Sequence, residues 1–190
     1  MDAKARALLM DIPERIETAR LVLEAARHHH VQETYPVVQD SLMELKLWMP
    51  WAASGSNLEE MAIYFAKAHA QWISRELLDF QWYHKASGAL VGKGGLHHID
   101  WDIPKFEMGY WLSTRFVGQG YAGEAVSALA VFAKDVLGAK RLEITNDAAN
   151  AKSRAVAERA GFLLEGILRK ARRNVHGDLS DQCMYAQVFD

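Results

Sequence analysis

The sequence predicts an α/β (α+β) fold, with one mixed, mostly antiparallel sheet of about seven strands and helices on both faces. Three observations lead there. Apolar patterning along the chain reads strand, two helices, three strands, helix, strand, helix, two strands. Half of the 190 residues are hydrophobic, enough for a sizeable core. A strand-to-helix turn is marked by Gly118 and Gly120. Strands that follow directly are expected to pair antiparallel, and strands joined by a crossing helix to pair parallel. A doubly wound dinucleotide fold would alternate strand and helix throughout, and this chain does not.

The elements follow in order. Residues 1–15 read as a mobile leader or a short helix, ahead of a single domain spanning 1–190. Thr18 to Glu24 alternates as a first strand. His28 to Leu47 is helix-like and broken by Pro36, and Trp48 to Gly55 is a loop. Ser56-Asn57-Leu58-Glu59 has the form of a capping box, opening a helix to about Leu78 with Met61, Phe65, Ala68 and Trp72 as its apolar stripe. Phe80 to Lys85 and Leu90 to Ile99 are strands joined at Ser87-Gly88, and Lys105 to Leu112 is the next. A helix runs from Tyr121 to about Leu137 and stops at Gly138. Arg141 to Thr145 is a strand, and Asn150 starts a helix that ends at Gly161. Phe162 to Arg172 and Asp181 to Val188 are the last strands, with His176-Gly177-Asp178 turning between them.

Composition narrows the class. The formal net charge is -2 and the sequence pI is about 6.4, so no basic stripe points to nucleic acid or a membrane surface. The single cysteine, Cys183, forms no disulfide within the chain, which suits a reducing compartment. Met1 to Arg20 mixes charges with short apolar pieces and has no signal-peptide h-region. No apolar run approaches the ~18 residues of a membrane span. A cytoplasmic protein, monomeric or homodimeric, is expected.

Val117-Gly118-Gln119-Gly120-Tyr121-Ala122 is the sharpest local signal. Glycines let backbone turn tightly, and the first helix amides lack intrahelical partners and carry the positive end of the dipole, a cradle for a pyrophosphate. No Lys-Ser/Thr pair follows as in a Walker loop, and the third glycine of the dinucleotide fingerprint is absent.

Phe106 to Leu112 (FEMGYWL), followed by Gly118-Gln119-Gly120-Tyr121-Ala122-Gly123-Glu124-Ala125, resembles the core of the GNAT acetyltransferases. Asn150 to Phe162 and Leu164 to Arg169 match the family's next blocks, and Thr18 to Leu23 its first strand. The Trp48-Met49-Pro50-Trp51 loop looks like the branch that acetylates N-termini of ribosomal proteins. The resemblance implies a sheet splayed between strands 4 and 5 and acetyl-CoA as donor. It places the pyrophosphate on the amides of Val117, Gly118, Gln119, Gly120, Tyr121 and Ala122, and the pantetheine arm along Trp111, Leu112 and Ser113. Val117 stands where the motif commonly begins with Arg or Gln; a backbone cradle tolerates that.

Acetyl transfer needs a neutral amine, an activated thioester and a proton for the thiolate. An α-amino group titrates near pH 8 and a lysine near 10.4, so an N-terminal amine needs only a weak base. Glu107 is the first candidate base; it shares a strand face with Gly109 and Trp111, and the glycine would leave room for substrate. The alternative is an edge-strand carboxylate holding a neighbouring cation. Asn150 and Ser153 share a helix face at its start, Asn150 as cap and cofactor ligand. By resemblance, Ser153 lies near the thioester and protonates the thiolate. Arg172 stands where some relatives carry a Glu base. Trp48, Trp51, Arg172 and Tyr185, with Asp181, are candidates for the acceptor site.

His28-His29-His30 read as an exposed face. His97 and His98 alternate across a strand and are expected to face apart, and no zinc spacing occurs, so no metal is expected. Three functions are compatible: acetylation of a protein N-terminal amine in a groove open at both ends, acetylation of a small amine in a closed pocket with a few charged groups, or a non-catalytic acyl-CoA-binding module.

Overall fold

The computed structural model describes residues 2–53, 55 and 57–190. Among these, eight strands form one sheet in the order β1-β2-β3-β4-β5-β6-β8-β7. The strands are β1 (Arg15–Glu17), β2 (Leu21–Ala25), β3 (Leu78–His84), β4 (Leu90–Asp100), β5 (Lys105–Leu112), β6 (Arg141–Asp147), β7 (Leu163–Arg173) and β8 (Leu179–Val188). The helices are α1 (Ala3–Leu8), α2 (Val31–Asp40), α3 (Leu42–Leu45), α4 (Pro50–Ala53), α5 (Leu58–Ile73), α6 (Tyr121–Asp135) and α7 (Ala151–Arg159).

The additional strand comes from the N-terminal end. The expected strand Thr18 to Glu24 begins instead at Leu21, because the Thr18 hydroxyl accepts from the Leu21 amide at 2.8 Å and closes a turn. That turn folds β1 back antiparallel on to β2. Ahead of it, α1 is capped by Asp2, and Arg75 donates to the carbonyls of Ala7 (3.2 Å) and Met10 (2.8 Å). Of the two readings for residues 1–15, the short helix is what forms, with Ala7 and Ile12 buried.

Two expectations about helices need correction. Pro36 does not break α2, which continues through it to Asp40, and the break falls at Ser41. Trp48 to Gly55 contains α4, with Pro50 at its first position, where a missing N–H costs nothing. Ser56 of the expected capping box lies outside the described residues; Asn57 caps α5, accepting from the Glu60 amide at 2.8 Å. The stripe Met61, Phe65, Ala68 and Trp72 is buried.

Every neighbouring strand pair is antiparallel except β5 with β6, which α6 connects. The pair β2–β3 corrects the rule that a helical crossing gives parallel strands: four helices intervene, yet the chain returns antiparallel. One sheet face carries Leu23, Phe80, Leu96, Met108 and Leu142 against Ala125 and Leu129 of α6. A second cluster joins α2 to α5 over Trp111 on the other face.

The contact that positions the site is the shortest one. β5 and β6 pair only over Lys105–Glu107 with Arg141–Glu143. Beyond Glu107 the two strands part, each still held by its outer neighbour, β4 or β8.

Candidate active site

Glu107 is the last paired residue before the split, so its carboxylate sits at the closed end. One oxygen accepts from the Thr145 hydroxyl at 2.6 Å, and the other from His98 Nδ1 at 2.7 Å. Burial alone would raise this carboxyl, but the hydrogen bonds from Thr145 and His98 and the neighbouring histidines outweigh it and hold the group below the usual carboxylate range. His97 is the register partner of Glu107. Its own ionisation is pushed below the ordinary histidine value by burial, against the opposing pull of Glu107.

The expectation that His97 and His98 face apart is overturned. The register slips between His97 and Asp100, and His98 adopts φ 47°, which turns its ring back beside that of His97, centroids 4.6 Å apart. The room beside Glu107 left by Gly109 is also partly taken: a Cβ there would lie 2.8 Å from His97 Nε2.

The other sheet face supplies the second group. Asn150 caps α7 by accepting from the Ser153 amide at 3.0 Å. The Ser153 hydroxyl lies 3.1 Å from the Tyr110 hydroxyl and 3.5 Å from Asn146 Nδ2. Burial raises the Tyr110 phenol. Asn146 Oδ1 is buried with no hydrogen-bond partner, an acceptor left open beside the split. Tyr110, Thr145 and Asn146 were not singled out in the sequence; alternation along β5 and β6 is the one signal that places them.

The Ser113 amide donates to Val91 of β4 at 2.8 Å. By strand alternation, the backbone groups of Trp111 also face β4, while those of Tyr110 and Leu112 face the split. Of the expected trio Trp111, Leu112 and Ser113, Leu112 is the one with main-chain groups facing the split.

Beyond Leu112 the chain enters the glycine turn. Gly118 (φ 81°) and Gly120 (φ 82°) are both left-handed, a conformation glycine adopts without strain. Gly120 is the N-cap of α6 and makes no side-chain cap bond, so the amides that follow remain free for a ligand. Glu124 in the first turn accepts from the Thr18 hydroxyl at 2.5 Å and from the Arg20 amide and guanidinium at 2.7 Å. Arg20 in turn donates to the Gln119 carbonyl at 3.0 Å and lies over the Tyr121 ring. This pairing fixes the turn and brings a cation beside it, so the residues fit an anionic diphosphate.

On the Glu107 side opens a cavity of about 640 Å³. Trp51 and Trp111 form one wall, rings 6.4 Å apart, with Tyr64 and Phe65 of α5 opposite and His97 and Gly109 in the floor. Lys93 and Asp79 make a buried ion pair there, and the Tyr64 hydroxyl donates to Asp79. Burial lowers the Lys93 ammonium, opposed by Asp79; burial and Asp79 together hold the Tyr64 phenol well above its ordinary value.

Four of the acceptor candidates lie elsewhere. Trp48 is outside the cavity lining, where Met49 stands instead. Tyr185 faces α7, donating to Glu158 at 2.6 Å and accepting from Arg154 at 3.1 Å. Arg172 lies on β7, separated from β6 by β8, opposite Ser180. Asp181 accepts from the Lys170 amide at 2.8 Å and so closes a β7 irregularity. Cys183 is buried. His28–His30 form a single 3-10 turn whose third ring, His30, is buried rather than exposed.

Comparison with known proteins adds the lineage. The family model described as Acetyltransferase (GNAT) domain matches residues 20–163. A Bacillus subtilis (strain 168) protein with ribosomal N-acetyltransferase in its name, YdaF, is 39% identical over 94 residues, covering 48% of this chain and 51% of that protein. The alignment thus spans about half the length of that relative. The ribosomal-protein-serine acetyltransferase of Escherichia coli (strain K12) is 25% identical over 173 residues, 90% of this chain and 93% of that protein. The solved structure of RimL, ribosomal L7/L12 alpha-N-protein acetyltransferase, in complex with coenzyme A superposes with a TM-score of 0.86 at 25% identity, covering 94% of this chain and 98% of that one.

Proposed function

The chain belongs to the acetyltransferase (GNAT) family, and from that membership we propose that it transfers the acetyl group of acetyl-CoA directly to the N-terminal α-amine of a protein, such as a ribosomal protein, within one domain spanning 1–190. The observation that carries the reading is the split beside Glu107: a carboxylate at its closed end, Ser153 on its far side, and a glycine turn with free helix amides at its mouth.

Acetyl-CoA, as co-substrate, supplies an activated thioester. The amides of Gly118 to Ala122 hold its diphosphate, with Val117 and Gln119 shaping the turn and the Arg20 cation alongside. The split-facing backbone of Leu112 and Tyr110, the open Asn146 Oδ1 and the neighbouring Asn150 take the amide-bearing arm. Binding in this way adds a strand to an open edge.

Glu107 accepts the proton of the incoming amine. Thr145 and His98 hold its carboxylate in one orientation, and an amine titrating near pH 8 is already partly neutral. The amine nitrogen bonds to the carbonyl carbon, the carbon–sulfur bond breaks, and the Ser153 hydroxyl passes a proton to the departing thiolate as it takes one from the Tyr110 hydroxyl bonded to it, which regains its own from solvent.

The relatives named for ribosomal substrates support the N-terminal acceptor. The buried Lys93–Asp79 pair in the cavity favours a second reading, a small amine carrying a charged group. A thiol-release assay over peptide N-termini and small amines separates the two. Calorimetry that finds no binding of either coenzyme A or acetyl-CoA overturns both.

A further inference from the structure

His97, His98 and Glu107 come from two strands and show no metal spacing in the linear sequence, yet they converge at the closed end of the split. The left-handed backbone of His98 is what brings them together, because ordinary alternation would send its ring to the opposite face. One nitrogen from each ring and one Glu107 oxygen lie within 4.8 Å of one another. Around a tetrahedral ion with bonds of about 2.0–2.2 Å, donor atoms stand about 3.4 Å apart. The adjustment required falls on the His98 side chain, which is 76% exposed and already within hydrogen-bond distance of Glu107.

The surroundings suit such a centre. The Thr145 hydroxyl holds the second oxygen of Glu107, as outer-shell donors hold metal-bound carboxylates. His97 is wedged above Gly109, so its ring is set before any ligand arrives. Two imidazoles and a carboxylate select a transition ion over magnesium or calcium, which take oxygen ligands. His97 lines the cavity, which therefore borders the three ligands.

We propose that His97, His98 and Glu107 bind a divalent transition ion of the zinc type, and that the ion inhibits acetyl transfer by occupying the Glu107 carboxylate. The inhibitory half rests on Glu107 being the proton acceptor; the binding half does not.

The test uses the full chain, stripped with EDTA. Zn²⁺ is titrated in competition with a chromophoric chelator, and Co²⁺ is followed by its visible absorption. The expected result is one ion per chain, with affinity at least tenfold weaker in both His98→Ala and Glu107→Gln. Circular dichroism confirms that both variants are folded. Substoichiometric binding, or binding unchanged in both variants or lost instead in His28→Ala, overturns the site. Zn²⁺ is expected to abolish thiol release by the wild type and EDTA to restore it. Full activity with one bound ion overturns the inhibitory half and Glu107 as proton acceptor, while failure of the chain to bind coenzyme A by calorimetry strikes the acetyltransferase reading and leaves the metal result standing.

Discussion

Gly120→Asp, compared with Gly120→Asn, tests the diphosphate cradle and separates backbone strain from charge. Gly120 has φ 82°, and a side chain there costs about 1 kcal/mol, the low end of the left-handed penalty for Asp and Asn. In a chain of this size that lowers Tm by about 2–4 °C, equally in both variants. Helix capping does not recover the loss, because a capping side chain reaches back from extended backbone. Charge distinguishes the two. A carboxylate about 4 Å from a phosphate oxygen costs between ~1 kcal/mol in water and ~4 kcal/mol at an effective dielectric constant near 20. Arg20 Nη2 would stand 3.4 Å from the new Cβ and offsets part of the repulsion. The expected loss of coenzyme A affinity for the Asp variant therefore runs from about fivefold, where the site is wet, to about a hundredfold, against less than about threefold for Asn. Added salt should narrow the gap. Isothermal titration reads both, and an Asp variant that binds as tightly as wild type refutes the cradle.

Glu107→Gln should lower single-turnover acetyl transfer by about 10²–10⁴ with coenzyme A affinity preserved; an unchanged rate removes it as proton acceptor. Ser153→Ala should slow the chemical step more than it weakens cofactor binding, and equal single-turnover rates would end its role as proton donor. His30 tests the fold, not the site. Burial, reinforced by His29 and Arg27 and opposed by Glu24, lowers its pKa from 6.5 to about 4, so the folded state favours the neutral ring. That stability is present above pH 6.5 and is lost as pH falls toward 4, by about 2.5 kcal/mol at pH 4.5 from 1.36 kcal/mol per unit. Urea unfolding at pH 7 and 4.5 should show a loss in His30→Gln that is smaller than in wild type by about this amount.

What was legible in the chain was local. The strand Lys105–Leu112 and the stripe on α5 announce themselves by periodicity, and the glycine turn by residues that alone accept its backbone. What was not legible depends on register. Lys93 and Asp79 are 14 positions apart and meet because β3 and β4 set them on one face. Glu124 reaches Arg20 across 104 positions. Arg172 was placed at the acceptor by family position and Tyr185 by its place in the last strand, but position along a strand does not say which face a side chain takes or how many strands separate it from the split. The His98 bulge breaks alternation itself, and no glycine or proline marks it.

In the proposed function, the split is what lets one reaction draw on both faces of a sheet. Glu107 and Thr145 lie on the face of the cavity, Tyr110, Asn146 and Ser153 on the face of α7. In a continuous sheet the backbone ladder would stand between these two sets and satisfy every main-chain group. Ending the β5–β6 ladder at Glu107 removes that wall and leaves the main-chain groups of Tyr110 and Leu112 facing the gap, where the proposed function seats the donor. In the proposed reaction a thioester in the gap is open to an amine from the cavity and to a proton from α7 at once. The arrangement needs β5 and β6 anchored from outside, and both are: β4 holds β5 as far as Leu112, and β8 holds β6 along its full length.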